Sequence, residues 1–148
     1  MRKHITPILL TVMLAITATM AFGQAKDALY KSLGGKKAIT AVVNDFVGRC
    51  AGDPRIAAFF KPDVADPKKL AHFKMELVNQ ICEAAGGPCK YTGKSMKEAH
   101  AGMGVSSADF GALVEDLVAT FNKLGVKKAD QDALLGVLGP MKSDIVEK

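Results

Sequence analysis

Apolar side chains recur three and four residues apart over residues 36–50, from Pro67 to the Gly86-Gly87-Pro88 turn, and from Ser106 or Ser107 to Gly125. This spacing puts the apolar positions of each stretch on one helix face, the pattern of an amphipathic α-helix. The inward positions are Ile39, Val42, Val43, Phe46, Val47 and Cys50, then Leu70, Phe73, Leu77, Gln80 and Ile81, and finally Phe110, Leu113, Val114, Leu117 and Phe121. We therefore predict a fold organised around three amphipathic helices.

Turn-forming residues divide the rest of the sequence. They are Gly34-Gly35, Gly52-Asp53-Pro54, Gly86-Gly87-Pro88, Gly125 and Gly139-Pro140. Between them we predict a short helix over 25–33, and a second short helix that has Asp53 as its N-cap and Pro54 in its first turn and ends at Phe60. A loop is predicted over 61–67. The stretch 89–105 is rich in Gly and less regular. A last helix is predicted over 129–146, kinked at Gly139-Pro140 because proline breaks the backbone hydrogen-bond ladder.

Polar residues suited to capping precede the second and third amphipathic stretches. Asp66 is a predicted N-cap for a helix that starts at Pro67, and either Ser106 or Ser107 is a predicted N-cap for the next. No window alternates apolar and polar residues with a period of two, which is the pattern of a strand. The predicted fold class is all-α.

Residues 1–23 have the pattern of an export signal. Arg2 and Lys3 precede a mostly apolar run over 5–22, and Ala21 and Gly23 put small residues at −3 and −1 of a cleavage site after Gly23. Cleavage would leave one domain, 24–148, in the periplasm of a bacterium, with no stable membrane insertion. The alternative is an uncleaved membrane anchor, because the apolar run is just long enough for a short span.

Composition and charge argue against a nucleic-acid partner. The 148 residues carry a formal net charge of +5, and their lysines are scattered rather than arranged in a stripe. Aromatic residues make up only 6%, with no Trp. Nucleic-acid binding needs a basic patch or an aromatic stacking platform, so no nucleic-acid partner is expected.

Three cysteines lie in the part of the chain that export would deliver to an oxidising compartment. The Gly-Gly-Pro turn between Cys82 and Cys89 could bring their sulfurs together as a disulfide, and separate buried thiols are the alternative. Cys50 lies on an apolar helix face and is expected in the core. No Cys-x-x-Cys or Cys-x-x-Cys-His motif occurs, so neither a thioredoxin-type site nor covalent haem attachment is supported.

His100 is the candidate metal ligand. It follows Met96 by one helical turn, and Gly102 and Gly104 end the helix just after it. Zinc is disfavoured because no second ligand stands at a paired spacing. Haem needs only one imidazole and an apolar pocket. Phenylalanines that could supply such a pocket are Phe46, Phe59, Phe60, Phe73 and Phe110.

An ordered set of short motifs resembles the group I truncated haemoglobins. The motifs are Leu29-Tyr30-x-x-Leu33-Gly34-Gly35, Asp45-Phe46, Asp53-Pro54-Arg55, Phe59-Phe60, Gly86-Gly87-Pro88, Tyr91-x-Gly93, Met96-Lys97-x-x-His100, Gly102-x-Gly104, Phe110 and Asp144-Ile145-Val146. Each motif alone is weak, but the set covers about residues 28–146 at compatible spacings. The resemblance implies a two-over-two helical sandwich around one non-covalent haem b, with His100 as the proximal iron ligand. It also implies that Phe60, Met96, Val105 and Phe110 line the haem.

The distal side departs from the family pattern. Members commonly carry a Tyr where this chain has Val47, and many have a polar residue at the position of Leu77. A gapless alignment from Gly86-Gly87-Pro88 puts Phe73, Leu77, Gln80 and Ile81 over the distal face, with Gln80 the one candidate donor. The loop between Phe60 and Leu70 is longer than is usual in the family, so the alignment can also shift by two or three residues. In that register Leu70 and Lys74 lie over the distal face instead.

These residues predict reversible binding of O2, NO or CO by a haem protein with a largely apolar distal pocket. O2 is expected to bind weakly or to dissociate fast, because a hydrogen-bond donor stabilises it more than it stabilises NO or CO. The alternatives are a haem enzyme, as an NO dioxygenase or a peroxidase-like protein, and a redox or electron-transfer module that uses the two cysteines. A reductase or another electron donor is an expected partner. His72, off the apolar stripe, would act on the distal side only if its helix were rotated.

Overall fold

The computed structural model describes residues 26–148, and all the regular structure in this range is helical. The signal segment predicted over 1–23 lies outside the described residues. The helices are α1 Ala28–Ser32, α2 Gly35–Gly52, α3 Ala57–Val64, α4 Pro67–Ala84, α5 Met96–His100, α6 Ser107–Lys123, α7 Lys128–Leu138 and α8 Lys142–Ile145, with a 3₁₀ turn, Gly139–Met141, between the last two. The all-α prediction is confirmed.

Side-chain caps fix where two of the long helices begin. Asp66 accepts the backbone N–H groups of Lys68 and Lys69 at the start of α4. Of the two candidate serines, Ser106 caps α6, and it forms a reciprocal pair of hydrogen bonds with Asp109. Both caps satisfy N–H groups that have no partner inside the helix, which is why the chain turns helical at these points.

The hydrophobic core lies where α2 packs on α4 and α6. Its fully or almost fully buried side chains are Ile39, Val42, Val43, Phe46, Val47, Cys50, Ile56, Val78, Ile81, Cys82, Ala112, Leu117, Phe121 and Leu134. Cys50 is completely buried, as its helical position predicts. Burial of these apolar side chains is the main force that holds the three helices together.

A polar tie joins α2 to α6 beside this core. The Asp45 carboxylate accepts a hydrogen bond from the Thr120 hydroxyl at 3.0 Å and forms ion pairs with Lys123 and Arg49. The Lys123 ammonium, followed by the Thr120 hydroxyl and the Arg49 guanidinium, holds the pKa of Asp45 below its ordinary value. Thr120 is fully buried, so its hydroxyl needs such a partner.

The short helix α3 differs from the sequence-based prediction at both ends. The helix α3 starts later than expected, at Ala57, because the Asp53 carboxylate turns back onto the N–H and side chain of Arg55. It then continues through Pro62 to Val64, where a loop was predicted. Pro62 removes one internal backbone bond, but Ala65 still donates to the Lys61 carbonyl oxygen at 3.1 Å, so the last turn closes.

At the predicted kink, the 3₁₀ turn Gly139–Met141 divides the predicted last helix into α7 and α8. None of the helices within 26–148 combines the length and apolarity that a membrane crossing requires.

Candidate functional site

His100 is the last residue of α5, and its side chain is half-buried. Its Nδ1 lies 2.7 Å from the carbonyl oxygen of Met96, one turn earlier. A carbonyl oxygen can only accept a hydrogen bond, so this contact assigns the ring proton to Nδ1. The Nε2 atom then carries the free lone pair that a metal ion requires.

The short helix that presents His100 is held at its start by a capping box. The Ser95 hydroxyl accepts the Glu98 N–H at 3.2 Å, and the Glu98 carboxylate accepts the Ser95 N–H at 3.1 Å. The Ser95 hydroxyl, at 2.7 Å, and then the Ser95 N–H donate to the Glu98 carboxylate and lower its pKa from the ordinary value. A helix of five residues is too short to be stable alone, so its position depends on such contacts.

The side chains predicted for the distal side are apolar and come from α2, α3 and α4. Phe46, Val47 and Ile81 are buried, with exposed fractions of 7%, 1% and 5%. Phe73 and Leu77 are half-buried and pack against the core. The Phe60 ring meets the Phe73 ring edge to face, with 6.0 Å between centroids. None of these side chains carries a hydrogen-bond donor.

Gln80 is positioned differently from the expectation that it is the distal donor. Its amide nitrogen donates to the sulfur of Met96 at 3.2 Å and lies 3.5 Å from the sulfur of Met141. Met96 forms the turn that precedes His100, so the amide is directed toward the histidine-bearing helix. The predicted distal residues therefore offer no unengaged donor.

The remaining predicted residues are spread around this site. Val105 is buried, just after the α5 turn, and Phe110 is half-buried with the Lys142 ammonium 5.8 Å from its ring centroid. His72 is exposed, which leaves it away from the apolar face of α4. Leu70, brought into consideration by a register slip, packs against the core.

Cys82 and Cys89 form a disulfide, with their Cα atoms 5.7 Å apart. The bond joins the end of α4 to the segment that leads to α5. Cys50 is a free, buried thiol, and burial first, with the nearby Asp116 carboxylate second, raises its pKa. A thiol in this state is a poor nucleophile and metal ligand.

Two residues of this region were missed by sequence reasoning. They are Met141, whose sulfur lies 3.5 Å from the Gln80 amide nitrogen, and Glu147. The Glu147 carboxylate accepts the N–H groups of Gly102 and Gly104, directly after His100. Both contacts join residues more than forty positions apart in sequence, and no local pattern signals such a pairing.

Comparison with known proteins places the chain in a family. The family model for bacterial-like globins matches residues 28–147. The group 1 truncated haemoglobin of Tetrahymena pyriformis is 33% identical over 122 residues, which cover 82% of this chain and 97% of that protein. The group 1 truncated haemoglobin of a Synechocystis species is 40% identical over 104 residues, which cover 68% and 80%.

The chain belongs to the group 1 truncated haemoglobins. Solved structures agree: the Fe(III) form of truncated haemoglobin from Tetrahymena pyriformis matches with a TM-score of 0.73 and 32% identity, covering 81% of this chain and 98% of that one. The 2/2 haemoglobin of a Synechococcus species, with covalently attached haem, matches with a TM-score of 0.72 and 28% identity, over the same shares. The predicted family and its two-over-two fold are confirmed. Globins of this kind bind diatomic gases such as O2 through haem.

The residues present fit a haem group. The test is the chemistry of His100, whose free Nε2 lone pair is what haem iron takes from a proximal histidine. The half-buried apolar side chains Phe60, Phe73, Leu77 and Met96 add the kind of surface that a flat apolar ring covers.

Proposed function

We propose that this chain is a haem-dependent gas-binding protein with His100 as its single iron ligand. The observation that carries the proposal is the 2.7 Å contact between His100 Nδ1 and the Met96 carbonyl oxygen. This contact fixes the tautomer, holds the ring plane and keeps Nε2 free to coordinate. When bound, haem supplies an iron atom that can exchange a diatomic ligand.

The group we expect is haem b, held without a covalent bond. Met96, Val105 and Phe110 would line its histidine side, and Phe46, Val47, Phe60, Phe73, Leu77 and Ile81 the opposite side. Gln80 would lie at the edge, where its amide already holds Met96. Apolar side chains in these places would exclude water from the ring.

The proposed distal side chains should discriminate among gases because they offer no free hydrogen-bond donor. Val47 and Leu77 have no N–H or O–H group, and the Gln80 amide is engaged by two sulfurs. A neutral hydrogen bond contributes about 1 kcal/mol, and one to a charged group about 1.5–3 kcal/mol. We therefore propose fast O2 dissociation, with binding of NO and CO retained.

We also propose that the protein acts outside the cytoplasm. The basic start, the apolar run and the small residues before Gln24 support export and cleavage after Gly23. N-terminal sequencing of the full chain recovered from bacterial periplasm tests this. Mature protein that starts at Gln24 is the expected result. A full-length chain found only in membranes would contradict cleavage, and a full-length chain found in the cytoplasm would contradict export.

The decisive experiment compares absorption spectra of the mature protein with those of two variants, His100→Gly and His72→Gly. The wild type reconstituted with haem should give a ferrous five-coordinate spectrum, bind CO and NO, and oxidise quickly in air. His100→Gly should lose the proximal coordination, and added imidazole should restore it. His72→Gly removes an exposed histidine from the same protein and should match the wild type. Equal spectra for all three proteins would exclude His100 as the ligand.

The disulfide favours a second candidate, a redox module. Cys82 follows Ile81 directly on α4, so opening the bond to Cys89 could alter the distal wall. Measurement of the CO and O2 rate constants with and without reductant tests this. A change of tenfold or more, equivalent to about 1.4 kcal/mol, would favour the redox role, and unchanged rates would leave the bond a structural crosslink. An electron donor, as a reductase, would be the partner in either case.

A further inference from the structure

The chain leaves α5 at His100 and turns sharply. Ala101 leaves the helical region, with φ −56° and ψ 126°, and Gly102 and Gly104 adopt φ values of 78° and 66°. These two values lie in the left-handed region that glycine tolerates. The turn therefore points two backbone N–H groups to one side, immediately after the proposed ligand.

One carboxylate receives both N–H groups. Glu147 Oε1 lies 2.7 Å from the nitrogen of Gly102, and Oε2 accepts from the nitrogen of Gly104. These two hydrogen bonds hold the pKa of Glu147 below its ordinary value, and the positive charge of Lys148 acts in the same direction. Hydrogen bonds to a charged group are stronger than neutral ones, so this clamp is well suited to fix a loop.

The carboxylate is itself held in place by the backbone of the C-terminal strap, residues 146–148. Glu147 donates its N–H to the carbonyl oxygen of Val105 at 2.8 Å, and Ser107 donates to the carbonyl oxygen of Lys148 at 3.1 Å. Val105 and Ile145, on either side of the strap, are buried. The strap thus runs beside the loop that follows His100 and is anchored to the protein interior.

We propose that Glu147 is a positioning residue for His100: its carboxylate fixes the loop over 101–104 and thereby the orientation of the imidazole. The imidazole is then held by contacts on both sides of His100 in the chain. The Met96 carbonyl oxygen holds Nδ1 from the helix side, and the Glu147 clamp holds the backbone that follows. This role rests on the proposed function of His100 as the iron ligand.

The test uses Glu147→Gln, with Asp144→Asn as a matched control. Gln keeps the shape of Glu but offers one acceptor oxygen, and it sets an NH₂ donor opposite one of the two glycine N–H groups. Asp144 is an exposed acid on α8, so its change to Asn removes the same charge from the same end of the chain without touching the loop. The readouts are the iron–histidine stretching band of the ferrous protein and the rate of haem loss to an acceptor protein.

Glu147→Gln should broaden and shift the iron–histidine band and speed haem loss about tenfold, while Asp144→Asn should match the wild type. Amide hydrogen exchange should show faster exchange at Gly102 and Gly104 in the Gln variant, with or without haem. Glu147→Asp, which keeps the charge, should recover part of the wild-type band.

The outcomes separate the two proposals. If Glu147→Gln leaves both the band and the haem-loss rate at wild-type values in a protein that loads haem, the positioning role is overturned and the proposed function stands. If the wild-type protein takes up no haem, the proposed function is overturned and this role with it.

Discussion

The two sides of the candidate site are built by different forces. The helix α2, which contributes Phe46 and Val47, has 18 residues, and six of them are buried. The helix α5, which contributes His100, has five residues and none is fully buried. The proposed distal wall is therefore shaped by hydrophobic packing, whereas hydrogen bonds at Met96, Ser95 and Glu147 hold the His100 ring, its short helix and the turn that follows.

This difference has a functional meaning. Packing forces depend on area and have little direction, so they suit a wall that excludes water. Hydrogen bonds fix distance and angle, so they suit a ring that must present one nitrogen. Variants should therefore divide into those that lower the free energy of unfolding of the whole domain and those that act on His100 alone.

The largest effect is expected from the core beneath the distal wall. Phe121 is fully buried, so Phe121→Ala should lower the free energy of unfolding by about 3–5 kcal/mol. Leu124→Ala, three residues later at a site that is 42% exposed, should change it by less than about 0.5 kcal/mol. Denaturant unfolding measures both variants. If both variants lose a similar free energy of unfolding, core packing does not dominate the stability of this part of the domain.

The disulfide is the covalent link between the two sides. In the chain-entropy model, closing the short loop from Cys82 to Cys89 stabilises the folded chain by about 2.5 kcal/mol. Adding reductant should therefore lower the denaturant concentration at the unfolding midpoint of the wild type. A Cys82→Ala/Cys89→Ala variant should start at the lower stability and ignore the reductant. A midpoint that reductant leaves unchanged in the wild type would contradict the bond's contribution.

A hydroxyl added to the distal wall sharpens the comparison through gas binding. Val47→Tyr should slow O2 dissociation relative to Val47→Phe by a factor equivalent to about 1–2 kcal/mol, because both rings are bulky but only Tyr donates a hydrogen bond. CO dissociation should differ little between the two variants. Stopped-flow kinetics measure the dissociation rates of both gases. Equal O2 rates would show that position 47 does not face the gas.

The smallest effect is expected at the N-cap of α5. Ser95→Ala removes the acceptor for the Glu98 N–H and should destabilise this helix by about 1 kcal/mol. Amide exchange at Glu98 and Ala99 should quicken accordingly. Ser107→Ala, at an exposed position beside the Ser106 cap, should leave exchange unchanged. If amide exchange at Glu98 and Ala99 is no faster in Ser95→Ala than in Ser107→Ala, tertiary contacts alone hold α5.

Much of the framework could be predicted from local sequence. The stripe over 36–50 predicts α2, and the caps at Asp66 and Ser106 predict where α4 and α6 begin. Each of these signals depends on residues within about four positions of one another, which is the range of helical hydrogen bonds and side-chain pairs. One wrong expectation, a loop over 61–67, came from its two prolines. The helix α3 accommodates Pro62 with the loss of one backbone bond, and Pro67 begins α4.

The side-chain partners of the site could not be predicted in this way. Gln80 shares a helix face with Leu77 and so was expected to face the gas, yet its amide binds sulfurs of two other segments. Periodicity tells which face a residue occupies, but the atom that it bonds depends on which segment crosses that face.

By itself, the sequence determined the helices, the family resemblance and the choice of His100, because periodicity, caps and ordered motifs are written in neighbouring residues. Only the tertiary structure decided that the Gln80 amide turns toward Met96 and that Glu147 clamps the turn after His100. Those contacts bring together residues 16 and 45 positions apart. Their formation depends on how the packed helices bring distant backbone and side chains within hydrogen-bond reach.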